Sequence, residues 1–141
     1  MAGSFTLTIL TPDKSFFSQP AQEIIFGTPE GRIGIQVGHM PMVAAVSEGT
    51  IEILVDGEWK TAAVSQGFAE IMGSQTDFFV DTVEWAEEID TMRAREALMR
   101  AEMRLKSSED RVQYVRAQAA MARALARLKA AETSGKPPIQ R

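Results

Sequence analysis

The sequence predicts an N-terminal antiparallel β-sandwich followed by a C-terminal α-helical hairpin. Within the first 84 residues, apolar side chains recur at every second position of several short segments, as in half-buried strands. After Asp90 the apolar spacing changes to three and four residues, which is the period of a helix. We therefore place a β-sandwich domain at residues 1–86, a two-helix domain at 87–133 and a flexible tail at 134–141.

The strand pattern is clearest at residues 5–10 and 51–55. Other short β-branched or aromatic segments lie between and after them, separated by turn residues such as Thr28-Pro29-Glu30-Gly31. Asp56-Gly57 suits a tight hairpin, because glycine adopts positive φ without steric cost. Eight to ten short strands at regular spacing favour an antiparallel sandwich or a flattened barrel.

Two apolar stripes indicate the two helices. The first comprises Ala94, Leu98, Ala101 and Leu105, and the second comprises Tyr114, Ala117, Met121, Ala124, Leu128 and Ala131. A polar break at 106–110 separates them, with Ser107 and Asp110 spaced as a capping box. Alanine fills 8 of the 15 positions from 117 to 131, which raises helix propensity but leaves little side chain to bury. We expect the second helix to stay helical whether or not it is docked.

The charge is divided between the two parts of the chain. Residues 1–88 hold 3 Lys or Arg and 13 Asp or Glu, whereas residues 89–141 hold 12 and 6. The positive excess of +6 lies entirely after Asp110, so the second helix begins a cationic arm.

Several function classes find no support in the composition. The chain has no cysteine, so disulfides and thiol chemistry are excluded, and its single histidine, His39, makes a metal site improbable. We find no nucleophile elbow, Walker-type loop or carboxylate pair, and hence no active site. Without a leader pattern or a run of 18 apolar residues, the sequence is typical of a soluble cytoplasmic protein.

Two groups of residues are candidates for binding. Asp90 is spaced to cap the first helix by accepting a hydrogen bond from the N–H of Met92 or Arg93. Arg123 and Arg127 lie one turn apart on the second helix and form either an anion receptor or simply its solvated side. A further arginine stripe at positions 93, 100, 104 and 111 is consistent with ordinary exposed ion pairing.

Three stretches carry a family resemblance: TPEGRIGIQVGHMPMVAAVSEGTIEI, GFAEIMGSQTDFFVDTVEWAEEID and the motif IDTMRA before a two-helix tail. Together they resemble the epsilon subunit of bacterial F-type ATP synthases. The resemblance implies a ten-stranded sandwich that binds the gamma subunit and the c-ring in the central stalk, and no enzymatic activity of its own. It also implies a peripheral position on the cytoplasmic face of the bacterial inner membrane.

The resemblance further implies that the two helices inhibit ATP hydrolysis by extending toward the alpha/beta hexamer, and that ATP favours their folded form. The family's nucleotide motif falls on Glu84, Ile89, Asp90, Arg93, Ala94, Arg123 and Arg127. By resemblance, Glu84 and the Ile89-Asp90 region face the base and sugar of ATP, and the three arginines face its phosphates; no metal is implied. The alternative is a constitutive stalk adaptor in which IDTMRA only caps a helix.

Overall fold

Ten strands and two α-helices make up the computed structural model, which describes residues 3–134. The predicted tail, apart from Ser134, lies outside the described residues. The elements in chain order are β1 (Phe5–Leu10), β2 (Ser15–Ala21), β3 (Glu23–Thr28), β4 (Gly31–Gln36), β5 (Met42–Val46), β6 (Gly49–Val55), β7 (Glu58–Val64), β8 (Gly67–Met72), β9 (Gln75–Val80), β10 (Val83–Trp85), a 3-10 helix (Ala86–Glu88), α1 (Thr91–Ser107) and α2 (Arg111–Thr133). The predicted sandwich followed by a helical hairpin is confirmed.

The strands form two five-stranded sheets and not a barrel. Sheet A has the order β2-β1-β9-β8-β5, and sheet B has the order β10-β7-β6-β3-β4. All pairs are antiparallel except β1 with β9, which run parallel from Thr6 opposite Gln75 to Leu10 opposite Phe79. The sequence does not predict this pair, because turn residues indicate only hairpins between neighbouring strands.

A single apolar core fills the space between the two sheets. Its buried members all lie between Phe5 and Val83, so the helices contribute none of them. Phe26 and Phe78 are among the largest, and their rings meet edge to face with centroids 4.9 Å apart. The sandwich therefore has a core of its own, independent of the hairpin.

The Asp56-Gly57 turn has the predicted geometry. Val55 pairs with Glu58, and the two residues between them have φ of 51° and 80°. Both values are positive, as a two-residue type I′ hairpin requires.

The helices are capped by aspartates. Asp90 caps α1 as predicted, with its Oδ1 accepting from the Arg93 backbone N–H at 3.1 Å. Asp110 caps α2 by accepting from the Gln113 N–H at 2.8 Å. The predicted capping box starting at Ser107 was therefore wrong, since Ser107 is still the last residue of α1. Neither described helix is long and apolar enough to cross a membrane.

The buried faces of the helices consist almost entirely of alanine. Ala94 and Ala101 are buried on α1, and Ala117, Ala124 and Ala130 on α2. The predicted α2 stripe was wrong at Tyr114, which is exposed, and it omitted Ala130, which is fully buried; Ala131 is half-buried. The buried face of α2 changes direction along the helix because α2 contacts two neighbours, α1 and sheet B.

The outer face of sheet B under α2 is small and polar. Strand alternation turns Thr50, Glu52, Thr61, Ala63 and Ser65 away from the core, and all five are buried. Glu52 is only 2% exposed and forms an ion pair with Arg32. Where α2 and α1 meet this sheet, a separate cluster of five buried residues forms: Ala63, Ala86, Ile89, Ala94 and Ala130.

Candidate anion-binding site between the sandwich and the helices

An ion pair joins the sandwich to α2. Arg127 Nε donates to Glu84 Oε1 at 2.5 Å, and Arg127 Nη2 donates to Glu84 Oε2 at 3.4 Å. Glu84 lies on β10 and Arg127 in the C-terminal half of α2, so this contact links residues 43 positions apart in the chain. Both side chains are about one-third exposed, and such a pair contributes at most ~1 kcal/mol because water screens it.

Two adjoining cavities surround this ion pair. One, of about 260 Å³, lies between α2 and the strand ends at Val64, Ser65 and Thr82. The other, of about 360 Å³, extends between the two helices. They share four lining residues: Thr82, Glu84, Arg123 and Arg127.

The second cavity brings arginines from both helices together. Arg100 and Arg104 of α1 face Arg123 and Arg127 of α2 across it, with Glu84 as the only acid in its lining. Four guanidinium groups around one carboxylate leave a strong positive excess, and guanidinium binds phosphate oxygens bidentately. Arg116 lines another cavity of about 510 Å³ with Arg104 and Arg123. The arrangement can hold a polyanion.

Arg100 and Arg104 were missed by the sequence interpretation, which treated them as exposed ion-pairing residues. The available signal was their spacing, since Arg93, Ala97, Arg100 and Arg104 recur at four, three and four residues on one helical face. The sequence alone does not show that α2 packs opposite that face of α1.

The remaining predicted site residues lie beside the cavities and do not line them. Asp90 caps α1, and Arg93, which is exposed, donates its backbone N–H to that cap. Ile89 and Ala94 are buried in the small cluster with Ala63 and Ala130. The structure therefore brings Glu84, Arg123 and Arg127 together, while these other four residues support the start of α1.

Glu48 adds a second carboxylate near the arginines. It precedes β6, where Gly49 pairs with Val64, a residue that lines the first cavity. Burial raises the pKa of Glu48, and the charge of Arg123 partly offsets this rise. Arg123 thus lies close enough to Glu48 to stabilise its ionised form, just as Glu84 lies against Arg127.

His39 hydrogen-bonds locally. Its Nδ1 lies 2.8 Å from the carbonyl oxygen of Met40, as expected for a loop histidine. Within residues 3–134, no three His, Asp or Glu side chains are grouped so that they could hold a metal ion.

Both parts of this fold match one family of proteins. Residues 4–86 match the model of the ATP synthase Delta/Epsilon chain β-sandwich domain, and residues 87–132 match the model of its long α-helix domain. The chain belongs to the delta/epsilon chains of ATP synthase.

Proteins with similar sequences are epsilon chains. The chain is 44% identical to the ATP synthase epsilon chain of Ruminiclostridium cellulolyticum, over 79% of this chain and 84% of that one. It is 42% identical to the epsilon chain of Alkaliphilus oremlandii, over 77% and 81%. As an epsilon chain, it is a stalk subunit of the ATP synthase and not its catalytic subunit, so it is not an enzyme by itself.

Solved structures agree with this fold. A chain in the Euglena gracilis mitochondrial ATP synthase complex of OSCP, F1 and c-ring superimposes with a TM-score of 0.81 at 26% identity, covering 92% of this chain and 82% of that one. A chain of the Tetrahymena thermophila mitochondrial ATP synthase central stalk and c-ring shares the fold at a TM-score of 0.59 and 16% identity, covering 90% and 96%.

Proposed function

We propose that this chain couples the gamma subunit to the c-ring in the central stalk, and that its helical hairpin inhibits ATP hydrolysis when it leaves the sandwich. ATP, bound among the arginines, holds the hairpin folded. The proposal rests on one observation: the hairpin contacts the sandwich through a weak docking surface, and the same interface contains a strongly cationic cavity. The family resemblance supplies the partners.

The docking surface gains little from burial. Its buried cluster contains four alanines and one isoleucine, and Leu128 of α2 packs against it while only partly buried, whereas a fully buried leucine contributes several methylene groups at about 0.8 kcal/mol each. Because each helix carries its own aspartate cap, undocking need not unfold it.

A nucleotide would strengthen the folded form through the arginines. The phosphates of ATP would lie among Arg100, Arg104, Arg123 and Arg127, where Glu84 and the nearby Glu48 neutralise only part of the positive charge. By family resemblance, Arg93 also faces the phosphates, and the Ile89-Asp90 region contacts the base and sugar. A ligand that binds only the folded form stabilises it by about 2.7 kcal/mol at a hundred times its Kd.

Once undocked, the second helix would need another anionic partner. The chain carries a net +6 after Asp110, which suits an acidic surface of the alpha/beta hexamer. The same helix would thus be held by phosphates in one state and by carboxylates in the other. The complex would sit on the cytoplasmic face of a bacterial inner membrane, with either protons or sodium ions as its coupling ion.

The gamma subunit would bind the outer face of sheet A. Val43 on β5 is 70% exposed, and Phe68 and Met72 on β8 are also exposed. Phe68 stacks on Phe79 of β9 with ring centroids 4.9 Å apart, and these side chains form an apolar surface that is interrupted by the exposed Glu70, the residue that pairs with Val43. A soluble domain rarely leaves such a patch uncovered unless a partner binds it.

Replacing Val43 with aspartate should weaken gamma binding by about tenfold or more, because a charge would be buried against an apolar partner surface. The matched control is Val115→Asp, since Val115 is also an exposed valine but lies on α2. Affinity for purified gamma can be measured by calorimetry. Equal losses for the two variants, or none for Val43→Asp, would place the gamma interface elsewhere.

ATP should shift the hairpin toward its folded form. Cysteines at Arg95 and Glu132 would report this, because α1 begins beside the end of α2, where Ala94 and Ala130 share a cluster. The chain has no other cysteine, so the two labels attach only at these sites. In the extended form the labels separate by tens of Å at about 1.5 Å per helical residue.

The measurement is fluorescence energy transfer on the full chain during an ATP titration, with inorganic phosphate as the control ligand. We expect saturable rising transfer with ATP only. Transfer that does not respond to ATP would favour the constitutive adaptor.

A further inference from the structure

An open groove of about 560 Å³ lies where the edges of the two sheets separate. β2 is an edge strand of sheet A and β10 an edge strand of sheet B, and β7 contributes the floor between them. Phe16, Trp59 and Trp85 line it, and the Phe16 and Trp85 rings lie 4.7 Å apart. The groove shares no lining residue with the arginine cavities.

The groove is acidic as well as aromatic. Glu58, Glu87 and Glu88 line it with one cation, Lys60, whose Nζ lies 5.7 Å from the Trp85 ring centroid. At the rim, Lys14 Nζ lies 6.0 Å from the Phe16 ring centroid, so three carboxylates face two ammonium groups. Thr61 also lines the groove, is only 4% exposed, and its Oγ1 finds no partner among residues 3–134. Aromatic walls, an excess of carboxylates and an unpartnered buried hydroxyl together suit a cationic, proline-containing peptide segment.

A cationic, proline-containing segment of this same chain begins at the groove. Ser134, the residue after α2, is part of the groove lining, and the chain continues as Gly135-Lys136-Pro137-Pro138-Ile139-Gln140-Arg141. We propose that residues 135–141 occupy this groove and fasten the end of α2 to the sandwich.

The chemistry of the segment fits the groove at each point. Pro137 and Pro138 have fixed φ, so they lose little conformational entropy on binding an aromatic surface. Lys136 and Arg141 supply two cations for the glutamates.

The occupied groove gives the folded hairpin a second attachment. It holds α2 at its C-terminus, whereas Glu84 and the arginines hold its middle. This attachment needs no nucleotide, so its test does not depend on ATP binding, and the two proposals can fail separately.

Intrinsic tryptophan fluorescence tests the proposal, because both tryptophans of the chain line the groove. The chain ending at Ser134 should show a red-shifted emission and greater acrylamide quenching than the full chain. An amidated peptide of residues 135–141, added to the shortened chain, should reverse both changes, with an affinity that falls as salt rises. The same peptide should leave the full chain unchanged.

Charge reversal provides the control. Glu87→Lys with Glu88→Lys should give the full chain the fluorescence of the shortened chain and weaken peptide binding to the shortened chain about tenfold. Lys136→Glu with Arg141→Glu should restore the emission of that variant. Identical emission and quenching of the full and shortened chains would overturn the proposal, as would equal peptide binding to both. A concentration-dependent signal would show that the tail of a second copy binds, which would also overturn it.

Discussion

Replacing both Arg123 and Arg127 with alanine should reduce the affinity of the full chain for ATP by a hundredfold or more, since two charge-assisted hydrogen bonds at ~1.5–3 kcal/mol each together contribute at least ~3 kcal/mol. Both side chains line the cavities around Glu84. Calorimetric titration with ATP measures the change.

The matched control is Lys129→Ala, which removes an exposed cation from the same helix but lines none of the described cavities. It should leave ATP affinity nearly unchanged. Thermal unfolding of the double variant should still show an intact sandwich, because both arginines lie outside its core. Undiminished ATP affinity in the double variant would remove these residues from the site.

Ending the chain before Arg111 should relieve inhibition of ATP hydrolysis several-fold in the reconstituted enzyme while leaving gamma binding intact. The physical reason is the separation of the two buried clusters: the sandwich core needs no residue of α2. Hydrolysis rates of enzyme assembled with full and shortened chains, at equal occupancy, give the comparison.

An engineered disulfide that holds the hairpin on the sandwich provides a second test of inhibition by the hairpin. Cysteines at Ala63 and Ala130, which share the small cluster, should lock the hairpin on the sandwich when oxidised. Locking should also relieve inhibition, and reduction should restore it. Loss of gamma binding on truncation would contradict the independence of the sandwich, and unchanged hydrolysis in both arms would contradict inhibition by the hairpin.

The features that local patterns could predict are those decided by neighbouring residues. Alternation along β1, the Asp56-Gly57 turn and the Asp90 cap depend on interactions within a few positions, and the structure confirms them. The half-buried pattern predicted for β6 was wrong, because α2 covers the outer face of this strand and both faces are buried. The resemblance to known epsilon subunits added the count of ten strands.

The features that local patterns could not predict are contacts between distant segments. The parallel pairing of β1 with β9, the approach of Glu48 to Arg123, and the facing of Arg100 toward α2 each join residues far apart in the chain. An arginine on an exposed helical face has the same local pattern whether it meets solvent or a cavity. Only the docking direction of α2 distinguishes these two cases.

The placement of the two surfaces on opposite sides of the sandwich has a mechanical consequence. Sheet A carries the exposed apolar patch and sheet B carries the helices, so a core about 10 Å thick separates them. If the gamma subunit binds sheet A as we propose, torque that passes between it and the sandwich need not travel through the helices. The helical hairpin can then dock on sheet B or leave it while the contact between sheet A and the gamma subunit stays intact.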